Sequence, residues 1–128
     1  MPRAKALVIR VEDRPGMLGE IASALGAAKV NLRAVHGGKE GDQGVVRLVV
    51  DKAATARRVL AAHGWMPEVE EILEVELADK PGTLGEVARL LGDAKVNIQY
   101  VFVSTTGGRK ATAFLAVSDL KAALKALR

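Results

Sequence analysis

Two sets of polar and glycine residues stand at one constant offset: Asp13, Gly16 and Asn31 in the first half of the chain, Asp79, Gly82 and Asn97 in the second. Aspartate supplies a charged acceptor, and an asparagine amide both donates and accepts. The glycines follow Pro15 and Pro81, where the lack of a side chain lets backbone turn sharply or a ligand come close. Met17 and Leu18 come next in the first copy, and Thr83 and Leu84 in the second. These residues do not make a reactive set. The chain has no cysteine, so a thiol nucleophile, a disulfide and a sulfur metal site are all ruled out. Ser23, Ser104 and Ser118 lie in no nucleophile motif, and no base stands near them in sequence. Metal sites need several convergent ligands, and His36 and His63, the only histidines, are not paired by spacing. No catalytic residue, cofactor or metal is expected.

The elements that position these residues are duplicated. Between Asp13 and Asn31, 13 of 19 positions are identical to those between Asp79 and Asn97, with no gap. A repeat this long marks a duplicated structural unit. Each copy opens where an apolar run ends, at Val8-Ile9-Arg10-Val11 or Val75-Glu76-Leu77. Proline and glycine then make a turn and start a helix. Leu18, Ile21, Ala22, Leu25 and Ala28, and likewise Leu84, Val87, Ala88, Leu91 and Ala94, follow helical spacing and give each helix one apolar stripe. Thr83 with Glu86 reads as a capping box. Val30-Asn31-Leu32 and Val96-Asn97-Ile98 open the next strand, with the asparagine at its start.

Along the chain, the pattern gives a strand over 4–11, a helix over 17–29, a strand from Asn31 to His36, a glycine-rich turn over 37–44 and a strand over 45–50. Those glycines are not a phosphate loop, because a strand follows them and not a helix. Asp51 is expected to cap a second helix that Gly64 ends. A short strand near 68–72 should run with a bend or bulge straight into the first strand of the second unit, with no linker. The second unit continues with a helix over 83–94, a strand over 97–104, a turn over 105–110, a strand over 111–117 and a helix over 119–128. The fold class is α+β: two ferredoxin-like βαββαβ units, 1–68 and 69–128, with antiparallel sheets and helices on one face. The second unit lacks its last strand, which leaves a sheet edge to be paired or covered. A second copy of the chain or a rearranged strand order would do this, and a homodimer is expected.

Units this small leave much surface unburied, so the two should share an interface, and Trp65 reads as a core or interface anchor. The net charge of +4 divides as +5 over residues 1–66 and −1 over 67–128. The cations are scattered and have no interleaved aromatics, so they describe a solvated surface and not a nucleic-acid interface. No apolar run reaches membrane-spanning length and no signal peptide opens the chain; a soluble cytoplasmic protein is expected.

The series strand, Asp-x-Pro-Gly turn, amphipathic helix, Val-Asn-Leu or Val-Asn-Ile strand resembles the ACT domain, a small amino-acid-sensing module, and both copies match it. The resemblance implies a ligand seated between two neighbouring units, held by the turn after the first strand and by the start of the second. On this chain those positions are Asp13, Gly16, Met17, Leu18 and Asn31, and Asp79, Gly82, Thr83, Leu84 and Asn97. A free amino acid needs an acceptor for its ammonium group and donors for its carboxylate, which exposed helix N-terminal amides provide. Thr83 offers a hydroxyl where the first copy has Met17, which favours the second copy. The serine-sensing ACT domain of phosphoglycerate dehydrogenase has a histidine two positions before the acidic or amide residue; Val11 and Leu77 stand there in this chain, which argues against serine. The resemblance implies a regulatory protein that senses a free amino acid and modulates a partner enzyme of amino-acid metabolism or its own assembly. The alternatives are a ligand-free regulatory subunit and a transcriptional regulator of the glycine-cleavage-repressor type.

Overall fold

The computed structural model describes residues 3–105 and 107–128; Met1, Pro2 and Thr106, the last within the expected 105–110 turn, lie outside the described residues. Ten elements follow one another: β1 (Arg3–Glu12), α1 (Met17–Ala27), β2 (Leu32–Glu40), β3 (Gln43–Val50), α2 (Ala53–Ala62), β4 (Glu68–Ala78), α3 (Thr83–Asp93), β5 (Ile98–Thr105), β6 (Lys110–Val117) and α4 (Leu120–Ala126). They form two compact units, one of Lys5–Glu70 and one of Glu71–Arg128 with the residues up to Ala4.

In the first unit the sheet runs β2-β3-β1, and the opening residues of β4, 68–70, follow beyond β1. Alternation along β1 and β3 sends Leu7, Ile9, Val11, Val46 and Leu48 to the face that α1 and α2 cover with Met17, Ile21, Leu25, Ala56 and Leu60. Ile21, Leu25 and Leu60 are fully buried, each burial contributing about 1.5–3 kcal/mol. The second unit repeats this with order β4-β6-β5 and a core of Leu73, Leu77, Leu91, Val96, Ala113, Leu115 and Ala123. Its helix is less well covered. Leu91 is the buried residue of α3, while Leu84 and Leu90 stay 38% and 49% exposed.

Both repeated helices end in the same way. In α1 the amide of Lys29 donates to the Gly26 carbonyl (3.0 Å) and that of Val30 to the Leu25 carbonyl (3.0 Å); in α3 Lys95 donates to Gly92 (3.0 Å) and Val96 to Leu91 (2.9 Å). This is the Schellman arrangement, with Lys29 and Lys95 each at φ +64° in the left-handed region. The helices therefore stop at Ala27 and Asp93, a residue or two before the apolar stripe suggested.

The hairpin of the first unit is tighter than its glycines indicated. Gly37 and Gly38 lie in β2 opposite Val46 and Val45, and the ladder continues to Glu40 opposite Gln43, leaving Gly41 and Asp42 as the turn. Gly41 supplies the positive φ of +60° that a two-residue hairpin turn demands. Glu40 ties the strand ends together, accepting from Arg10 Nη1 at 3.2 Å and Arg47 Nη2 at 3.0 Å. Asp51 does not cap α2: the N-cap is Lys52, without a side-chain bond. As expected, no linker interrupts the chain after 68–72: these residues and the strand that follows are one strand, β4.

The second unit has no strand after α4. The flank of β4 in that unit is taken by the opening residues of β1, Arg3 and Ala4, and Arg3 Nη1 lies 3.5 Å from Glu71 Oε2. A rearranged strand order thus closes the edge. The missing strand no longer argues for a second copy of the chain.

Candidate functional site

The two corners share one backbone geometry. Gly16 and Gly82 are the N-caps of α1 and α3, at φ +87° and +90°, and neither helix has a side-chain cap. The expected capping box does not form, because Thr83 is the first helical residue, one place past the N-cap. From there its hydroxyl reaches back to the carbonyls of Ala78 (2.7 Å) and Lys80 (3.1 Å) and holds the turn closed. With its proton so engaged, the Thr83 oxygen is left to accept. The amides of Leu18 and Gly19, and of Leu84 and Gly85, make no hydrogen bond among the described residues. A helix start with unpaired amides favours an anion such as a carboxylate.

The ten residues singled out from the sequence play different parts. Met17 is buried among core residues of the first unit and presents only backbone to the corner. Leu18 and Leu84 are 48% and 38% exposed. Asp13 is exposed and lies 3.6 Å from Lys39 Nζ. Asp79 accepts from Thr105 Oγ1 at 2.7 Å and donates its amide to the Arg109 carbonyl at 2.7 Å. Asn31 and Asn97 are locked through their backbones: Asn31 exchanges bonds with Asp51 (3.0 and 3.2 Å), and Asn97 exchanges bonds with Ser118 (2.9 and 2.9 Å). Their side-chain amides stay exposed and make no hydrogen bond among the described residues.

Within one unit the aspartate and the asparagine do not meet. In the second unit Ala78 pairs with Lys110 and Thr105 with Ala111 at one end of the sheet, whereas Ile98 pairs with Val117 at the other. Asp79 belongs to the first end and Asn97 to the second, separated by the length of β5, about 25 Å at roughly 3.3 Å per residue. The first unit is laid out alike, with Glu12, Gln43 and Glu40 level at one end and Leu32 beside Val50 at the other. The corner and the asparagine stand at opposite ends of the sheet.

The family profile described as ACT domain matches residues 5–63 and again 72–128. The chain belongs to the ACT-domain family. It carries the domain twice, and the family is one of regulatory modules. No curated protein matches the chain. Among solved structures, a protein from Bacteroides thetaiotaomicron aligns with TM-score 0.91 at 23% identity, covering 98% of this chain and 86% of that one. The ligand-free regulatory subunit of aspartate kinase from Thermus thermophilus aligns with TM-score 0.68 at 18% identity, covering 98% and 90%. At these identities the likeness is one of fold.

The two ACT units differ at their corners. In the first, Arg14 bridges Glu20 (2.6 Å) and Glu12 (3.4 Å) over the start of α1, and this pairing holds the Glu20 carboxyl below the usual range. In the second, Lys80 and Glu86 occupy the equivalent places and make no ion pair among the described residues, so no such bridge spans the start of α3. Gly19 and Gly85 were overlooked by the residue-type argument. They lie in the first helical turn with open space where a Cβ would be, and their identity in both copies was the signal. A groove of about 630 Å³ beside α1, lined by Arg14, Glu20, Ser23, His63 and Trp65 among others, contains none of the ten residues.

Proposed function

We propose that this ACT protein senses a free amino acid at a site assembled from two copies of the chain, and relays occupancy through its own assembly to a partner enzyme of amino-acid metabolism. One observation carries the reading: the edge strand β5, Ile98–Thr105, has no charged residue, and it spans from the Asn97 half-site to Thr105, which is bonded to Asp79. An uncharged, well-formed edge is a template for pairing with another chain. Antiparallel pairing of β5 with β5 of a second copy brings Asn97 of each chain beside the Asp79–Gly85 corner of the other, so both half-sites meet twice per dimer. The ligand carboxylate lies on the Leu84 and Gly85 amides, and its ammonium group on Asp79 and the Asn97 side-chain oxygen.

The other edge strand, β2, contains Arg33 and Lys39. Two-fold pairing of β2 through His36 would set these like charges opposite each other, which is destabilising. The first ACT unit is therefore the weaker candidate, with Asp13, Gly16, Met17, Leu18 and Asn31 forming a corresponding site whose helix start is bridged by Arg14. The regulatory reading agrees with the aspartate kinase regulatory subunit that shares the fold.

A ligand that bridges two copies stabilises the arrangement in which its site is whole, by its differential affinity for that arrangement. At tenfold excess over Kd the native state gains about 1.4 kcal/mol, a rise of about 5 °C in melting temperature for a chain of this size. The test is a melting series against each of the twenty amino acids, with sedimentation velocity on any that shifts it. The expected result is one or a few small amino acids that raise both the melting point and the dimer fraction, with the effect lost in Asn97→Ala and Asp79→Ala. A flat series would leave a ligand-free interaction module.

A further inference from the structure

The first unit presents a second, chemically different concavity. Ala54, Arg57, Arg58 and Ala61 form one exposed stripe of α2, and together with Met66 and Pro67 they line a groove of about 410 Å³. A smaller cleft of about 100 Å³, reaching Lys5 and Val69, shares Ala54 and Arg57 with it, so the two lie side by side along one track of α2. No carboxylate lines either part. The side chains of Lys5 and Arg57 make no hydrogen bond or ion pair among the described residues, and that of Arg58 touches only Thr55 Oγ1 at 3.4 Å.

Arg3, Arg10, Arg14, Lys39 and Lys110 each face a carboxylate within 3.6 Å. Between the uncompensated cations lie apolar side chains without cover: Met66 is 72% exposed and Val69 38%. The duplication did not keep the feature, since the offset that relates the copies puts Glu71 where the first has Lys5, and Glu71 is engaged by Arg3.

We infer that this track docks a short acidic segment of a partner protein, with an aliphatic side chain seated between Met66, Val69 and Ala54 and flanking carboxylates on Arg57, Arg58 and Lys5. The charge complementarity selects an acidic occupant, and guanidinium groups pair with carboxylates bidentately. The exposed methionine and valine require an apolar anchor as well, as grooves that accept peptide segments do. A nucleic acid also offers negative charge, but no aromatic lines the track for base stacking, on which single-strand binding relies. The inference rests on residues outside the amino-acid site and stands independently of it.

The test uses the full chain and a short fluorescein-labelled peptide alternating glutamate and leucine, followed by fluorescence anisotropy at several salt concentrations. Three controls accompany it: the same peptide with serine for leucine, a lysine–leucine peptide, and a single-stranded oligonucleotide of equal charge. Binding of the Glu/Leu peptide, with amide shift changes confined to residues 54–61, 66–69 and 5–7, is the expected result. Charge reversal by Arg57→Glu with Arg58→Glu should weaken it about tenfold or more, the loss of charge-assisted contacts, and Met66→Ser should weaken it several-fold. Lys5→Glu serves as the second variant if the double reversal unfolds the chain. Absence of binding, equal affinity for the serine peptide or the oligonucleotide, shifts mapping elsewhere, or indifference to the reversals would each overturn the inference.

Discussion

Replacing Gly82 by alanine separates the backbone geometry of the corner from its proposed contact with ligand. Gly82 sits at φ +90°, and a Cβ built there meets no heavy atom within 4 Å, so the substitution introduces no clash and only conformational strain. A left-handed conformation costs an L-residue about 1–2 kcal/mol, and stiffening of the unfolded chain returns about 0.4–1 kcal/mol. The net loss is about 1 kcal/mol, or about 4 °C in melting temperature. Urea unfolding followed by circular dichroism should show the midpoint moving at unchanged slope. The added methyl group projects into open space in the free chain, where the proposed ligand lies. The melting shift produced by an active amino acid should therefore fall by more than the stability loss alone explains, while Gly16→Ala, with φ +87° and equally open surroundings, should cost the same stability and leave that shift largely intact. A loss several times larger than the strain allows would mean that the corner is packed more tightly than described. Equal loss of the ligand response in both variants would refute assignment of the site to the second unit.

Other perturbations test the helix ends and the hairpin. Lys95→Gly relieves a left-handed lysine at φ +64° and should raise stability by up to about 1 kcal/mol, the alanine arithmetic with its sign reversed; a fall in the urea midpoint would contradict it. Asp119 is the N-cap whose side chain accepts from the Ala122 amide, at 3.0 Å, so Asp119→Ala should cost about 1 kcal/mol, while Asp51→Ala should leave the start of α2 intact by amide exchange. The hydrogen bonds from Arg47 and Arg10 hold the Glu40 carboxyl below its ordinary value. A depressed native pKa contributes stability above the unfolded value, about pH 4.3, and that contribution is lost as pH falls through the native one. Melting of the wild type and of Glu40→Gln should therefore differ at neutral pH, converge in acid and draw closer in high salt.

What neighbours along the chain dictate was legible before any coordinates. Pro15-Gly16 and Pro81-Gly82 require a sharp turn, the apolar stripes from Leu18 and Leu84 require helices laid on a sheet, and the constant offset between the two copies requires two like units. Each of these signals is confined to a few residues, and the structure keeps the turns, the helices and the two units, while Leu18 and Leu84 at the head of each stripe stay 48% and 38% exposed. Local reading failed where a long-range contact overrode a local preference. Gly37 and Gly38 resemble a loop, yet the ladder to Val45 and Val46 and the grip of Arg10 and Arg47 on Glu40 hold them in β2. Asp51 and Thr83 have the chemistry of helix caps, yet one accepts the Asn31 amide and the other closes its own turn.

Where the corner and the asparagine lie relative to each other could be learned only from the folded chain. Asp79 and Asn97 belong to a single repeated motif and invite reading as one site, but the crossover helix returns the chain to start β5 at the far end of the sheet from the corner. Strand direction and register are set by pairing between residues distant in sequence, such as Ala78 with Lys110 and Ile98 with Val117. The same non-local pairing gives the second unit the chain's own first residues, Arg3 and Ala4, in place of the strand it lacks.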